Sequence, residues 1–275
     1  ALSGRLYTDE LEKMLRVLAG KREVDSHDYL SLPKQIKNVT LLVIGPQKGL
    51  AGALVTNLTR TVLRFVDDAF QKSDLASLLY YSDGEAATAP INMMSANLTL
   101  VSMGKKGKDI TRYTKREVLA EFGQLGKQST AGSIRPVADF LVDLFKSRKT
   151  DLVLVAYSHF VNTVTQRAVV RQFLPVPPSK KQLATSSNLD QGILFEPTER
   201  EVLESLFIRY SEAFLYQLVL ESLACEHSAR MVAMKNAHDN AVDIISELTL
   251  NYNNARQNSI TSELADIVSS SLAVA

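Results

Sequence analysis

The C-terminal part of the chain lacks the two residues that interrupt helices. No glycine or proline occurs from Thr198 to Ala275, whereas all 12 glycines and all 8 prolines lie before it. Because proline costs about 3 kcal/mol and glycine about 1 kcal/mol inside a helix, this stretch can form one unbroken helix. Seventy residues at about 1.5 Å each would reach roughly 105 Å, more than the width of a small domain. The sequence therefore predicts a rod with a mechanical or interaction role.

Other scarce features exclude several classes of protein. Cys225 is the only cysteine, so neither an intramolecular disulfide nor a cysteine-pair metal site can form. The net charge of +1 does not indicate a strongly basic nucleic-acid binder. No apolar run approaches the roughly 18 residues that span a membrane. The N-terminus has neither the basic start nor the apolar stretch of a signal peptide.

The histidines do not form a catalytic or metal-binding pattern. His227 and His238 share a face of the predicted long helix but lie about 16 Å apart along its axis, too far to bind one metal. His159 follows Ser158 in a predicted loop without a third partner, so a catalytic triad is not supported. We expect no catalytic residue, no cofactor and no metal in this chain.

Three short apolar runs predict the strands of a sheet that is covered on both faces, since their residues do not alternate with polar ones. They span residues 39–44, 98–103 and 152–156. Helical patterns at 50–70 and at 134–148, the second with Ser133 as N-cap, lie between them and predict a partly parallel α/β sheet. Residues 163–173 are rich in Val and Thr and predict a hairpin strand after the third run.

The remaining segments give weaker patterns. Residues 8–19 predict a short amphipathic helix. Residues 74–96 are interpreted as an inserted loop or a short extra element, and residues 192–195 as an edge strand before the long helix.

Two glycine-rich segments invite a search for a phosphate site. Gly45 to Gly52 follows a strand and precedes a helix, the position of a nucleotide-binding turn. Its glycine spacing matches neither G-x-G-x-x-G nor the P-loop, so a tight strand-to-helix turn is favoured. Gly104 to Asp109 is likewise interpreted as a basic surface turn and not as an anion site.

The predicted long helix carries a heptad seam, whose steps of three and four residues predict a left-handed coiled coil. The seam consists of Met231, Met234, His238, Ala241, Ile245, Leu248, Tyr252, Ala255 and Ser259. Residues 203–223 are apolar over a broader face, which is expected to pack on the α/β domain.

These segments together resemble the gamma subunit of F-type ATP synthases, the central rotor shaft. The specific matches are ARMVAMKNAHDNA, LTLNYNNARQNSIT and SELADIV, at residues 229–241, 248–261 and 262–268. Weaker matches are LLVIGPQKGLAG, VVRQFLPV and LFEPTEREVLESL, at 41–52, 169–176 and 194–206. Ala51 departs from the family, which commonly has cysteine there.

The resemblance implies a Rossmann-like sheet domain and a C-terminal helix that forms half of an antiparallel coiled coil. It implies a non-catalytic rotor subunit that couples ion-driven rotation to ATP synthesis or hydrolysis on the catalytic subunits. The implied partners are the alpha/beta catalytic hexamer, an epsilon-type or delta-type stalk subunit and the membrane c-ring, without nucleic acid. Arg256, Gln257 and Thr261 would contact the catalytic subunits, and Arg230 would lie by their acidic lever region.

The family begins with a long basic helix, of which this chain holds only the end. We therefore expect four parts: the remnant of that helix and its connection at 1–37, the α/β domain at 38–175, a linker and edge strand at 176–197, and the long helix at 198–275. The expected location is the cytoplasmic face of a bacterial plasma membrane, peripheral to it, or the mitochondrial matrix face.

A second hypothesis is an α/β small-molecule-binding enzyme with a coiled-coil oligomerisation tail. It requires a working phosphate turn, which the glycine spacing between Gly45 and Gly52 does not support. Nucleotide binding by the isolated chain would favour it.

Overall fold

A mixed sheet and a very long helix make up most of the computed structural model, which describes residues 2–19, 36–71, 79–80, 96–123, 131–176, 196 and 198–274. The helices are α1 (Leu2–Ala19), α2 (Leu54–Gln71), α3 (Lys105–Tyr113), α4 (Ala131–Lys146) and α5 (Glu199–Val274). The strands are β1 (Asn38–Ile44), β2 (Leu79–Tyr80), β3 (Asn97–Met103), β4 (Val118–Phe122), β5 (Leu152–Phe160) and β6 (Gln166–Leu174).

The six strands lie in the order β2-β6-β5-β1-β3-β4. Strand β1 pairs in parallel with β3 and β5, with Leu41 opposite both Leu100 and Leu154. Strand β4 is parallel to β3 and β2 is parallel to β6, whereas β5 and β6 form an antiparallel pair. The predicted α/β sheet and its hairpin strand are therefore confirmed.

Both faces of the sheet are buried, which explains why its strands read as continuous apolar runs. In β1, Leu42 and Ile44 join a core cluster with residues of α1, α4 and α5. The intervening residues Leu41 and Val43 join a second cluster with residues of α2 and α3. Successive side chains of a strand alternate between its faces, so one run of apolar residues supplies both clusters.

The N-terminal part of α5 closes the first of these clusters. The helix starts after Thr198, whose Oγ1 accepts the Glu201 N–H at 3.3 Å. Buried side chains then recur every three or four residues, as expected for one helix face: Leu203, Phe207, Tyr210, Phe214, Leu218. The Phe214 ring stacks on Phe173 of β6 with centroids 5.3 Å apart. The prediction that residues 203–223 pack on the α/β domain is confirmed.

One prediction about a loop was wrong. Residues 104–109 do not form a basic surface turn, because α3 begins at Lys105 and is followed by β4. The amphipathic pattern of α3 was obscured by Gly107, an unfavourable residue in a helix interior. That glycine is accommodated by tertiary packing, since a Cβ on it would lie 2.9 Å from the carbonyl oxygen of Val43 in β1.

The starts of two helices also differ from those predicted from the sequence. The helix α4 begins at Ala131, so Ser133 lies inside it and is not its N-cap, and α1 begins at Leu2 and not near residue 8. Of the interpreted insertion at 74–96, the structure describes Leu79–Tyr80, which form β2, and Ala96. The remainder of that segment and the expected edge strand at 192–195 lie outside the described residues.

The chain divides into two compact units, Ala1–Ala229 and Arg230–Ala275, although α5 runs through both. In the second unit every side chain from Lys235 to Ser270 is exposed. All nine residues of the heptad seam are exposed as well. This part of α5 therefore has its apolar residues available for contact.

The approach of α3 to the end of β1 predicts a sharp difference between two neighbouring glycines. A Cβ on Gly45 would lie 2.0 Å from the backbone nitrogen of Gly107, whereas nothing lies within 4 Å of a Cβ on Gly49. We expect Gly45→Ala to lower the free energy of unfolding by at least about 2 kcal/mol, because backbone must move. The matched control Gly49→Ala should change it by less than about 0.5 kcal/mol. Urea unfolding of the two variants measures both values, and equal effects would contradict the packing described.

Candidate functional site

The carboxyl end of β1 is where a doubly wound sheet would hold a ligand. The chain passes from β1 to β3 and β4 on one side and then returns to β5 on the other, so the strand order reverses at β1. Here Gly45 and Gly107 meet backbone to backbone, and Lys106 N–H donates to the Pro46 carbonyl oxygen at 3.0 Å. The start of α3 thus packs directly against the end of β1 and the turn that follows it.

The turn after β1 binds a carboxylate of the chain itself. Gln47 N–H donates to Glu226 Oε2 at 2.8 Å and Lys48 N–H donates to Oε1 at 3.1 Å, and Glu226 is buried. Successive backbone N–H groups in a turn form an anion-binding concavity. The segment is the tight strand-to-helix turn that its glycine spacing predicted, and its anion-binding donors are used to hold α5.

Apolar contacts surround this carboxylate. Ala51 and Leu54 from the turn and the start of α2 pack with Cys225 of α5, and Phe160 and Ala229 pack against them. The Cys225 Sγ donates to the Ser158 carbonyl oxygen at 3.3 Å. Burial raises the pKa of the Cys225 thiol to about 12, so this cysteine is a packed side chain and not a nucleophile.

About one turn earlier on α5, the Glu221 carboxylate connects α5 to α1 and β5. It accepts from Arg5 Nε of α1 at 2.7 Å, from His159 Nδ1 of β5 at 2.9 Å and from Gln217 Nε2 at 3.0 Å. Burial alone raises the pKa of the Glu221 carboxyl, but the hydrogen bonds from His159, Arg5 and Gln217 outweigh it and lower the pKa to about 2. We call Glu221, Cys225, Glu226 and these partners the helix anchor.

Sequence reasoning missed the helix anchor, although one signal was present. Glu221 lies seven residues after Phe214, on the face of α5 predicted to be buried. A carboxylate on a buried face requires partners, because an unpaired buried charge is very costly. The partners themselves are distant in sequence, and only the fold brings them to Glu221.

The residues that the family resemblance selected lie on the second unit of α5 and not in one cluster. Arg230 is half-buried, whereas Arg256, Gln257 and Thr261 are exposed. Thr261 Oγ1 donates to the Gln257 carbonyl oxygen at 2.8 Å, which places both on one stripe of the helix. At about 1.5 Å per residue, Arg230 and Arg256 are about 39 Å apart along α5, so they lie at two separate positions on the helix.

The described residues contain no group of three or more His, Cys, Asp or Glu side chains that could hold a metal ion. Among the same residues, none of the helices combines the length and hydropathy that a bilayer-spanning helix requires.

Comparison with known proteins decides the family. A family model described as ATP synthase matches residues 1–274. The gamma chain of the ATP synthase of Roseiflexus castenholzii is 35% identical over 275 residues, covering 100% of this chain and 86% of that protein. The chain belongs to the ATP synthase gamma chain family. The gamma chain of Stenotrophomonas maltophilia is also 35% identical, over 272 residues and 86% of its length.

Solved structures agree on the fold of this gamma-family chain. It is similar to a chain of the Euglena gracilis mitochondrial ATP synthase, with a TM-score of 0.55, 17% identity, and coverage of 99% of this chain and 91% of that one. A chain of the Tetrahymena thermophila mitochondrial ATP synthase central stalk and c-ring matches with a TM-score of 0.52 and 18% identity. The expected sheet domain with a long C-terminal helix is confirmed, and the family does not support the enzyme hypothesis.

The first prediction from the helix anchor concerns Glu226. Replacing one carboxylate oxygen by an amide in Glu226→Gln leaves one turn N–H without an acceptor, which should lower the free energy of unfolding by about 1–3 kcal/mol. Glu247→Gln, on the exposed part of α5, is the matched control and should change it by less than about 0.5 kcal/mol. Urea unfolding measures both. Added formate should restore part of the stability of Glu226→Ala, and a lack of any response would count against the anion-binding turn.

The second prediction concerns the pH dependence that Glu221 confers. Its folded-state pKa of about 2 lies below the ordinary value of 4.5, so its ionised form stabilises the fold above about pH 4.5. This contribution, on the order of 3 kcal/mol, should be lost as the pH falls from about 4.5 towards 2. The stability difference between the wild type and Glu221→Gln should therefore shrink over that range. Unfolding curves at several pH values test this, and a constant difference would contradict the assignment.

Proposed function

We propose that this gamma chain transmits rotation through α5, which the helix anchor holds at one end and which contacts catalytic subunits along its exposed part. As a member of the gamma family, the chain is the central-stalk rotor subunit of ATP synthase. The proposed partners are the alpha/beta hexamer and the c-ring, because the similar chains come from structures described as F1, central stalk and c-ring. The observation that supports the proposed mechanism is the single helix from Glu199 to Val274, which is buried on one face in its first part and exposed from Lys235 to Ser270.

Rotation does work on a partner only if the partner's states differ in how well they contact the shaft. A binding partner shifts a conformational equilibrium by its differential affinity for the two states. A single helix with an apolar seam on one face is asymmetric about its axis. A shaft of this kind favours a different state of each catalytic subunit as it turns.

The helix anchor supplies the mechanical connection that such a shaft needs. A torque on α5 must be resisted where the helix meets the α/β domain, or the helix would turn against it. Glu221 and Glu226 lie five residues apart and are held by α1, β5 and the turn after β1. Charge-assisted hydrogen bonds from three directions resist rotation of the helix better than apolar packing alone, because they are directional.

Four residues are proposed to contact the catalytic subunits. Arg256, Gln257 and Thr261 form one polar patch on the exposed part of α5, and Arg230 forms a second contact close to the anchor. The shaft must form and break these contacts repeatedly as it turns. Charged groups suit such contacts because their long-range attraction speeds association.

The chemistry belongs to other subunits in this proposal. The start of α3 packs on the end of β1 and Glu226 occupies the anion-binding turn, so we propose that the α/β domain supports α5 and does not bind nucleotide. An epsilon-type or delta-type stalk subunit is the further proposed partner. We place the complex on the cytoplasmic face of a bacterial plasma membrane, where the gamma chain is peripheral.

The proposed contacts are tested in the assembled ATP synthase with the double variant Arg256→Ala, Gln257→Ala. ATP-driven ion pumping should fall by at least about tenfold relative to wild type, because truncating a charged contact that is buried in an interface costs about 2–5 kcal/mol and a tenfold change corresponds to about 1.4 kcal/mol. Lys235→Ala, Asn236→Ala removes a similar cation and amide from the same exposed helix and should retain most of the pumping. Assembly of the complex is verified by native gel. Pumping equal to that of the wild type would refute the assignment of Arg256 and Gln257.

A further inference from the structure

An open groove runs along the solvent side of α2, in the first unit. Its volume is about 750 Å³, and it is bounded by one stripe of α2 from Val55 to Asp67 and by Tyr113 at the end of α3. Twelve residues of helix make this stripe about 18 Å long. The groove is therefore long enough to receive several turns of a helix from another chain.

The polar groups of the groove are mainly cationic. Arg60 and Arg64 are exposed and lie four residues apart, so their side chains point from the same stripe with Cβ atoms about 6 Å apart. Neither forms a hydrogen bond or ion pair with another residue that the structure describes. Asp67 is the only acidic residue among those that line the groove. The groove thus offers two adjacent guanidinium groups to a partner that carries two carboxylates.

The rest of the lining provides apolar contact. Val55 and Leu63 are half-buried along the groove, and Tyr113 is 67% exposed at its edge. Tyrosine and arginine are the side chains enriched at protein interfaces and among their energetic hot spots. An exposed tyrosine beside two arginines is therefore the composition of a protein-binding groove.

We propose that this groove binds an acidic helical segment of another subunit of the complex. Two carboxylates spaced three or four residues apart on that segment would pair with Arg60 and Arg64, since this spacing matches the separation of the two arginines. An apolar side chain between them would lie on Val55 and Leu63, against the ring of Tyr113. This is the helix-in-groove mode of recognition.

The charge pattern distinguishes a protein partner from a membrane or a nucleic acid. Recognition of anionic lipid typically uses clusters of about four to eight basic residues. The groove has two, together with Asp67, which would repel a phosphate. Two guanidinium groups in one row suit a pair of carboxylates, which arginine binds in a bidentate manner. The groove lies in the first unit, so its occupation is independent of the contacts proposed for Arg256, Gln257 and Thr261.

The test is photo-crosslinking in the assembled ATP synthase. With Tyr113 replaced by p-benzoylphenylalanine, irradiation followed by peptide mass spectrometry should identify a segment of another subunit that carries Asp or Glu residues three or four apart. Crosslinks only to lipid, or to no polypeptide, would overturn the proposal. So would a crosslinked segment without such an acidic pair.

Charge reversal provides a second, quantitative readout. Arg60→Glu, Arg64→Glu should lower the crosslink yield by about tenfold or more, because like charges then face each other. Lys149→Glu, Arg167→Glu reverses two exposed cations elsewhere on the domain and should leave the yield unchanged. Replacing the partner's acidic pair by lysines should restore the yield with the reversed arginines. If reversal prevents assembly, the neutral pair Arg60→Gln, Arg64→Gln is used, and an undiminished yield in that variant would refute the role of the arginines.

Discussion

The structure depends on burial of one face of α5 against the sheet. Phe207, Tyr210, Phe214 and Leu218 are removed from water because they pack in one cluster with residues of α1, α4 and the sheet. Burial of such side chains is worth about 1.5–3 kcal/mol each. The same burial gives Glu221 and Glu226 their surroundings, since both lie on the buried length of the helix. Without it the carboxylates would be ordinary exposed charges and could not hold α5 in register.

Use of the turn after β1 shows how one local geometry serves different functions. A glycine-rich turn at the carboxyl end of a central strand presents backbone N–H groups that suit an anion. In this chain the anion is Glu226, and the start of α3 packs on the end of β1 through the contact of Gly45 with Gly107. A turn of the type that often binds nucleotides therefore binds a side chain of α5 in this chain. Function is set by the residues of the site and not by the fold.

Several features could be predicted from the sequence because they depend on local pattern. The three apolar runs became β1, β3 and β5 because a sheet covered on both faces needs continuous apolar strands. The interruption-free segment became α5 because no residue in it breaks a helix. In contrast, α3 and β4 were missed, since a nine-residue helix with a glycine inside it and a short edge strand carry little periodicity. Their stability comes from neighbours, as the fit of Gly107 under Val43 illustrates.

The long helix, the covered sheet and the family could be predicted from the sequence alone, because helix propensity, apolar periodicity and a family motif are properties of neighbouring residues. The sequence also selected Arg256, Gln257 and Thr261 through that motif. The helix anchor and the groove along α2, in contrast, exist only in the folded chain. Arg5 meets Glu221, Gln47 meets Glu226, and Tyr113 meets α2 across long stretches of chain. Contacts of this kind arise when folding brings remote segments together, and no local pattern of residues encodes which carboxylate will lie on which turn.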